Sequence, residues 1–256
     1  MSETYDWLYR QKQRLRTLCS RKSRPRSSYS LFSLWRRSCK TDEEEVVILG
    51  RGKSLEKLSE FNTKIKKVIL INEFWETTPE DIPYYKDPVI HKFIEDKELI
   101  VLCNPGVTTK FIKPFLKRYR IKTRYQSAFN RTLRVAKPKN YFKNLPDEII
   151  DPFCHLLENW PKVGQLGVAV LLCKYTYNIK TFHIFGLDFY EHDYYRGVAD
   201  QFVPENRESI RLATIPYEIC QMIDAWMNFA RYHDDCQFNI HTFATLRSEG
   251  NIYVQP

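Results

Sequence analysis

Four short polar clusters in this chain each follow a run of apolar residues, the position at which open α/β sheets bind their ligands. Gly50-Arg51-Gly52-Lys53-Ser54 follows the run 46–49, and Asn72-Glu73 follows 68–71. Asn104-Pro105-Gly106 follows 99–103, and Gly186-Leu187-Asp188-Phe189-Tyr190 follows 182–185. Two glycines between a strand and a helix let backbone N–H groups approach a phosphate. The same glycines serve equally well in a tight turn that needs positive φ. Gly52-Lys53-Ser54 looks like the end of a P-loop, but that motif requires Gly at position 47, which is Val. The dinucleotide fingerprint GxGxxG fails at Leu55. No Asp-x-Asp occurs, which argues against a divalent ion bridging a diphosphate donor, and HExxH and CxxC are missing. Neither a metal nor a cofactor is therefore expected. Among the six His, His183 lies inside an apolar run and reads as a satisfied core residue. His192, just past Tyr190, falls near the expected pocket and is available as a general base.

The elements that must position these clusters are legible from periodicity. The runs 46–49, 68–71, 99–103 and 182–185 lack polar alternation, as do strands buried on both faces. Residues 237–241 supply a last strand. Helices are predicted at 107–119, 147–159, 164–177 and 215–232, with a shorter helical pattern through Leu55, Leu58 and Phe61. In the last long helix, Ile219, Met222, Ile223, Trp226 and Phe229 have the spacing of a core-facing stripe. The alternation predicts an α/β fold: a Rossmann-like, doubly wound, mostly parallel sheet in one domain spanning 45–256.

Charge sets the first 44 residues apart. Residues 1–40 carry 11 Lys and Arg against Glu3 and Asp6, which accounts for the whole net charge of +9 and leaves the domain neutral. A nucleic-acid-binding domain carries its charge on the fold, so nucleic acid is not the expected partner. Aromatic residues, including Trp7 and Trp35, are interspersed with these cations. The leader 1–44 thus suits an anionic membrane surface; a solvated arm and an organelle transit peptide are the other readings. The seven scattered Cys read as thiols of a reducing compartment, and no apolar run approaches ~18 residues. The expected location is cytoplasmic, peripheral to the inner face of the membrane. Oligomeric state is not legible.

Taken in order and spacing, several of these segments resemble the bacterial sialyltransferases of glycosyltransferase family 42. They are Val47-Ile-Leu-Gly-Arg-Gly-Lys-Ser-Leu55, Ile71-Asn-Glu-Phe74, Cys103-Asn-Pro-Gly106 and the stretch from Leu166-Gly-Val-Ala-Val to Phe185-Gly-Leu-Asp-Phe-Tyr190. The resemblance runs from about 46 to 245; related enzymes that transfer Kdo to lipopolysaccharide share the general pattern. It implies a GT-A-like variant of the Rossmann sheet with a small lid, around 191–214. It also implies metal-independent, inverting transfer from a CMP-sugar to a glycan or glycolipid acceptor in lipopolysaccharide, lipooligosaccharide or capsule synthesis. By the same resemblance, Asn72 and Asn104 hold nucleotide and sugar, and Gly50, Gly52 and Ser54 the phosphate region. Arg51, Gly106, Gln165, Gly167, Gly186 and Asp188 complete the donor site. Tyr190 matches a family tyrosine that donates to the departing phosphate, with Tyr194 or Tyr195 as its partner. The family's basic His has no counterpart between His192 and His233, which leaves His192, Glu205 or Glu208 to take the proton. A catalytically decayed binding or regulatory module is the alternative.

Overall fold

The computed structural model describes residues 45–71, 74, 83–103, 109–121, 123–126, 152, 155–156, 159–189, 195 and 216–255. Its unalternating apolar runs become the inner strands of one sheet, because each strand is covered on both faces. The strands are β1 (Glu45–Leu49), β2 (Lys67–Ile71), β3 (Glu98–Cys103), β4 (Thr123–Gln126), β5 (Thr181–Phe185), β6 (Gln237–His241) and β7 (Ile252–Gln255). Their order is β4-β3-β2-β1-β5-β6-β7, and every neighbouring pair is parallel. The helices are α1 (Pro88–Ile94), α2 (Thr109–Arg118), α3 (Gly164–Tyr177) and α4 (Pro216–Tyr232), with a 3₁₀ segment at Lys53–Ser59.

Alternate residues of the strands feed two separate cores. On one face Val46, Ile48, Ile69, Phe182 and Ile240 pack with α3 and α4. On the other Val47, Leu49, Val68 and Val101 pack with Leu55 and Leu58 of the 3₁₀ segment, Ile90 and Phe93 of α1, and Phe115 of α2. α3 is buried continuously from Leu166 to Cys173, as suits a helix apolar all round. It stops at Asn178, which takes the left-handed conformation with φ 58°. α4 buries Trp226, Phe229 and Ala230 and exposes Asn228 and Arg231. α1 starts where it must: Asp87 accepts from the Val89 and Ile90 N–H groups at 3.0 and 3.3 Å, and Pro88 sits at the first helical position.

Three features depart from the expectation. β4 and β7 join as edge strands, α1 was not anticipated, and residues 53–59 form a 3₁₀ rather than an α-helix. The 55/58/61 spacing suits three residues per turn, which places Leu55 and Leu58 on one buried side. Of the helix expected at 147–159, residues 152, 155, 156 and 159 are described, and all are helical. Cys173 and Cys236 are free and buried, and Cys220 is exposed. Among the described residues no helix is long and apolar enough to cross a membrane.

Strand order reverses between β1 and β5. From β1 the chain winds outward through β2, β3 and β4, then returns to β1's other edge and winds outward through β6 and β7. The carboxyl ends of β1 and β5 therefore face one crevice, the topological switch point of the sheet.

Candidate functional site

Residues 50–54 and 186–188 meet at that switch point, and they are bonded to each other. The Gly50 N–H donates to the Phe185 carbonyl at 2.7 Å, and the Gly52 N–H to the Gly186 carbonyl at 3.1 Å. The glycines are required by proximity. A Cβ on Gly50 would lie 2.6 Å from the Gly186 oxygen, and one on Gly52 only 2.3 Å from Asp188 Oδ2. Gly186 has φ +74°, and its Cβ would lie 2.5 Å from the Gly50 carbonyl carbon. Both readings of the glycine loop are thereby corrected: the N–H groups of Gly50 and Gly52 are committed to the neighbouring loop and not free for a phosphate, and neither residue has positive φ, Gly52 lying at −70°.

Asp188 ties three strand ends together. Its Oδ2 accepts from the Ser54 N–H at 2.8 Å and the Ser54 hydroxyl at 3.0 Å. Its Oδ1 accepts from Thr242 Oγ1 at 2.9 Å and the Phe243 N–H at 3.1 Å. Ser54 Oγ in turn accepts the Gly186 N–H at 2.9 Å. The carboxylate is buried, and its four donors offset the cost of taking a charge out of water. Beside it, Lys57 Nζ donates to the Thr242 carbonyl at 2.6 Å and the Gln255 carbonyl at 3.2 Å, over the Phe243 ring. Burial pulls the Lys57 ammonium below its ordinary value, against the opposing influence of Asp188 and Glu60. Exposed Lys53 also reaches toward Phe243, 5.7 Å from the ring centroid.

Tyr195 is buried and fixed at several points. Its N–H donates to the Arg51 carbonyl at 2.9 Å, and its hydroxyl donates to Asp87 Oδ1 at 2.8 Å. At the near end of the same stretch, Phe189 is buried with φ +48°, a left-handed conformation that a bulky residue adopts only when its surroundings hold it there. Gln165 lies half-buried in the first turn of α3. Gly167 lets α3 seat closely: a Cβ there would meet Leu156 and Val163 side chains at 2.9 Å. Asn72, Asn104, Gly106, Tyr190, His192, Tyr194, Glu205 and Glu208 lie outside the described residues, as do the leader 1–44 and, Tyr195 aside, the segment 191–214.

His183 is half-buried on the sheet face. It contacts Glu45 Oε2 through Nε2 at 3.2 Å and His241 through Nδ1 at 3.4 Å. Burial, His183 and Lys57 push the His241 imidazole down to about 4. Among the described residues no cluster of three or more His, Cys, Asp or Glu side chains is placed to hold a metal ion.

Sequence reasoning passed over Asp87, Thr242 and Phe243. A signal existed for each: Asp87 directly precedes Pro88, and Thr242-Phe243 follows a strand just as the four chosen clusters do.

No family model and no curated protein matches the chain. Among solved structures it is similar to the monofunctional alpha-2,3-sialyltransferase Cst-I from Campylobacter jejuni, with TM-score 0.43 and 15% identity, covering 80% of this chain and 82% of that one. It is also similar to the sialyltransferase CstII from the same organism in complex with the substrate analogue CMP-3FNeuAc. There the TM-score is 0.38 and the identity 13%, over 84% of this chain and 87% of that one.

Proposed function

We propose that this chain is a glycosyltransferase that moves a sialic acid or related 2-keto sugar acid, such as Kdo, from a CMP-sugar to a glycan acceptor. One observation carries the reading. Two sequence segments that resemble the sialyltransferase motifs, residues 50–54 and 186–188, lie about 130 positions apart yet are bonded at the crevice where the strand order reverses.

CMP carries one phosphate in a monoanionic diester, so its departure needs hydrogen-bond donors more than a divalent ion. Tyr190 supplies one phenol and Tyr194 or Tyr195 a second, each bond strengthening as charge develops on the leaving phosphate. His192, Glu205 or Glu208 takes the acceptor's proton, and attack from the opposite face inverts the anomeric carbon. The acceptor belongs to lipopolysaccharide, lipooligosaccharide or capsule synthesis. The basic, aromatic leader 1–40 rests on the anionic inner face of the cytoplasmic membrane.

Release of CMP from CMP-sialic acid and from CMP-Kdo, with and without lipooligosaccharide acceptors and in the presence of EDTA, tests this. Transfer that requires Mg²⁺ removes the metal-independent mechanism. CMP binding without any CMP release favours the decayed binding module, whose motivation is the lack of a His between His192 and His233.

A further inference from the structure

Among the described residues four large apolar side chains are exposed, and two of them, Tyr175 and Tyr232, line one cleft. We propose that this cleft is a second carbohydrate site, remote from the switch-point crevice, that takes one neutral sugar ring of a glycan chain. A glycan as ligand agrees with the transferase reading above, but the site does not depend on it.

The position of the cleft follows from the chain. Tyr175 lies in the last turn of α3, just before β5, and Tyr232 ends α4, just before β6. The cleft therefore sits at the amino ends of these strands. The switch point lies at their carboxyl ends, across the five residues of β5, or roughly 16 Å away. The cleft volume, about 270 Å³, falls just below the ~300–1,000 Å³ usual for ligand pockets, which suits one ring and not a nucleotide.

The lining is a connected set of rings. His155 meets Trp160 edge-on at 5.1 Å and Tyr232 at 5.0 Å. Trp160 meets Tyr232 at 4.9 Å and Phe229 at 5.8 Å, and His233 meets Tyr232 edge-on at 5.2 Å. A pyranose presents C–H groups on its faces and hydroxyls around its rim. The negative faces of aromatic rings attract the C–H groups, and the hydroxyls need hydrogen-bond partners. One such partner is unused. Asn159 Nδ2 lies 3.0 Å from His155 Nδ1 and 2.9 Å from the His155 carbonyl, and donation to both leaves the ring proton on Nε2. His155 Nε2 is buried and has no hydrogen-bond partner among the described residues. Native structures leave few buried donors in that state, and a sugar hydroxyl satisfies this one by accepting.

Charge selects a neutral ligand. Lys174, beside the cleft, is committed to Asp235 at 2.5 Å and to His233 Nδ1 at 3.1 Å, so it is not free for an anion. The His233 imidazole is itself held neutral, pushed down to about 4 chiefly by burial. A quaternary ammonium, the other ligand of aromatic cages, would meet the Lys174 ammonium, which already lies 5.5 Å from the Tyr175 ring centroid.

The test is a titration of the full chain with three neutral sugars, lactose, maltotriose and N,N′-diacetylchitobiose, and with tetramethylammonium, each with and without saturating CMP. Saturation-transfer NMR and calorimetry read the binding. Tyr232→Ala and Tyr175→Ala remove one ring each; both side chains are exposed, at 57% and 36%, so either variant decides if the other does not fold. Tyr253→Ala, exposed on β7 away from the cleft, is the control. At least one sugar is expected to bind saturably below about 10 mM. Each cleft variant should weaken it about 10-fold, whereas Tyr253→Ala and CMP should change it less than about 2-fold. The site is overturned if no sugar binds, if tetramethylammonium binds more tightly than every sugar, or if both cleft variants bind like the wild type. Competition by CMP overturns it as well, because the sugar then occupies the crevice. If the chain releases CMP from no CMP-sugar, the transferase reading falls, and these titrations still decide the site.

Discussion

Asp188→Asn is the sharpest perturbation of the switch point, since it changes one atom of the side chain and no volume. Each carboxylate oxygen faces one backbone N–H that has no other place to turn: Ser54 at Oδ2, Phe243 at Oδ1. An asparagine presents an NH₂ on one side in either orientation, so one of these N–H groups must oppose a donor. Leaving a buried donor unsatisfied costs ~1–3 kcal/mol, and the bonds that survive lose their charge assistance, each worth ~1.5–3 kcal/mol when charged and about 1 when neutral. With two bonds surviving on the retained oxygen, the sum is about 2–7 kcal/mol, which for a chain of this size lowers the melting temperature by roughly 4–28 °C. Urea denaturation and thermal scans of Asp188→Asn read this directly, and isothermal titration with CMP reads its effect on the ligand. A melting temperature within about 2 °C of wild type, together with lost CMP affinity, would refute the assignment. The carboxylate would then face the donor rather than the strand ends.

Gly52→Ala should be severely destabilising, by more than ~3 kcal/mol, because its Cβ would lie 2.3 Å from Asp188 Oδ2 and 2.8 Å from the Gly186 oxygen. Gly250→Ala, in open space at φ +57°, should cost only ~1–2 kcal/mol of backbone strain, so equal urea midpoints for the two variants would contradict the packing described. Acid should unfold the protein partly through its imidazoles: His233 and His241 are both held down to about 4, chiefly by burial. The unfolded chain then binds more protons between pH 6.5 and about 4, and stability falls as pH drops through that window. After solvent screening the two together contribute about 2 kcal/mol, measurable as the difference in urea stability between pH 7 and pH 4.5. Lys57→Met should raise the His241 pKa in an NMR titration yet leave it below the ordinary value, since burial outweighs the lysine; an unchanged pKa would show the two are uncoupled.

What was legible in the sequence follows from burial. β1, β2, β3, β5 and β6 were readable because inner strands are apolar on both sides, and such a run has no competing periodicity. β4, Thr-Arg-Tyr-Gln, and β7, Ile-Tyr-Val-Gln, lie at the sheet edges, where a strand keeps polar residues and loses that signature. α1 was missed although Asp87-Pro88 announces it, because seven residues are too few for a stripe. At the switch point the residue types were legible and their obligations were not. That Gly50 and Gly52 give their N–H groups to Phe185 and Gly186 depends on a contact across more than 130 positions, which no local pattern encodes. The same holds for Tyr195, whose partner Asp87 belongs to a different crossover.

The pairing of β1 with β5 has a consequence for how the chain assembles. β2 follows β1 closely, so one edge of β1 is satisfied early, but its other edge waits for Phe182, Ile184 and their neighbours, about 136 residues later. At ~5–20 residues per second of synthesis, that interval is roughly 7–27 s. Throughout it, β1, apolar at four of its five positions, presents an open row of N–H and C=O groups to whatever lies nearby. Nascent chains halted before β5 emerges should therefore associate with one another or with a holdase, and once Phe185 has emerged the burden should pass from β1 to the outer edge of β5 until Gln237–His241 follows to pair with it.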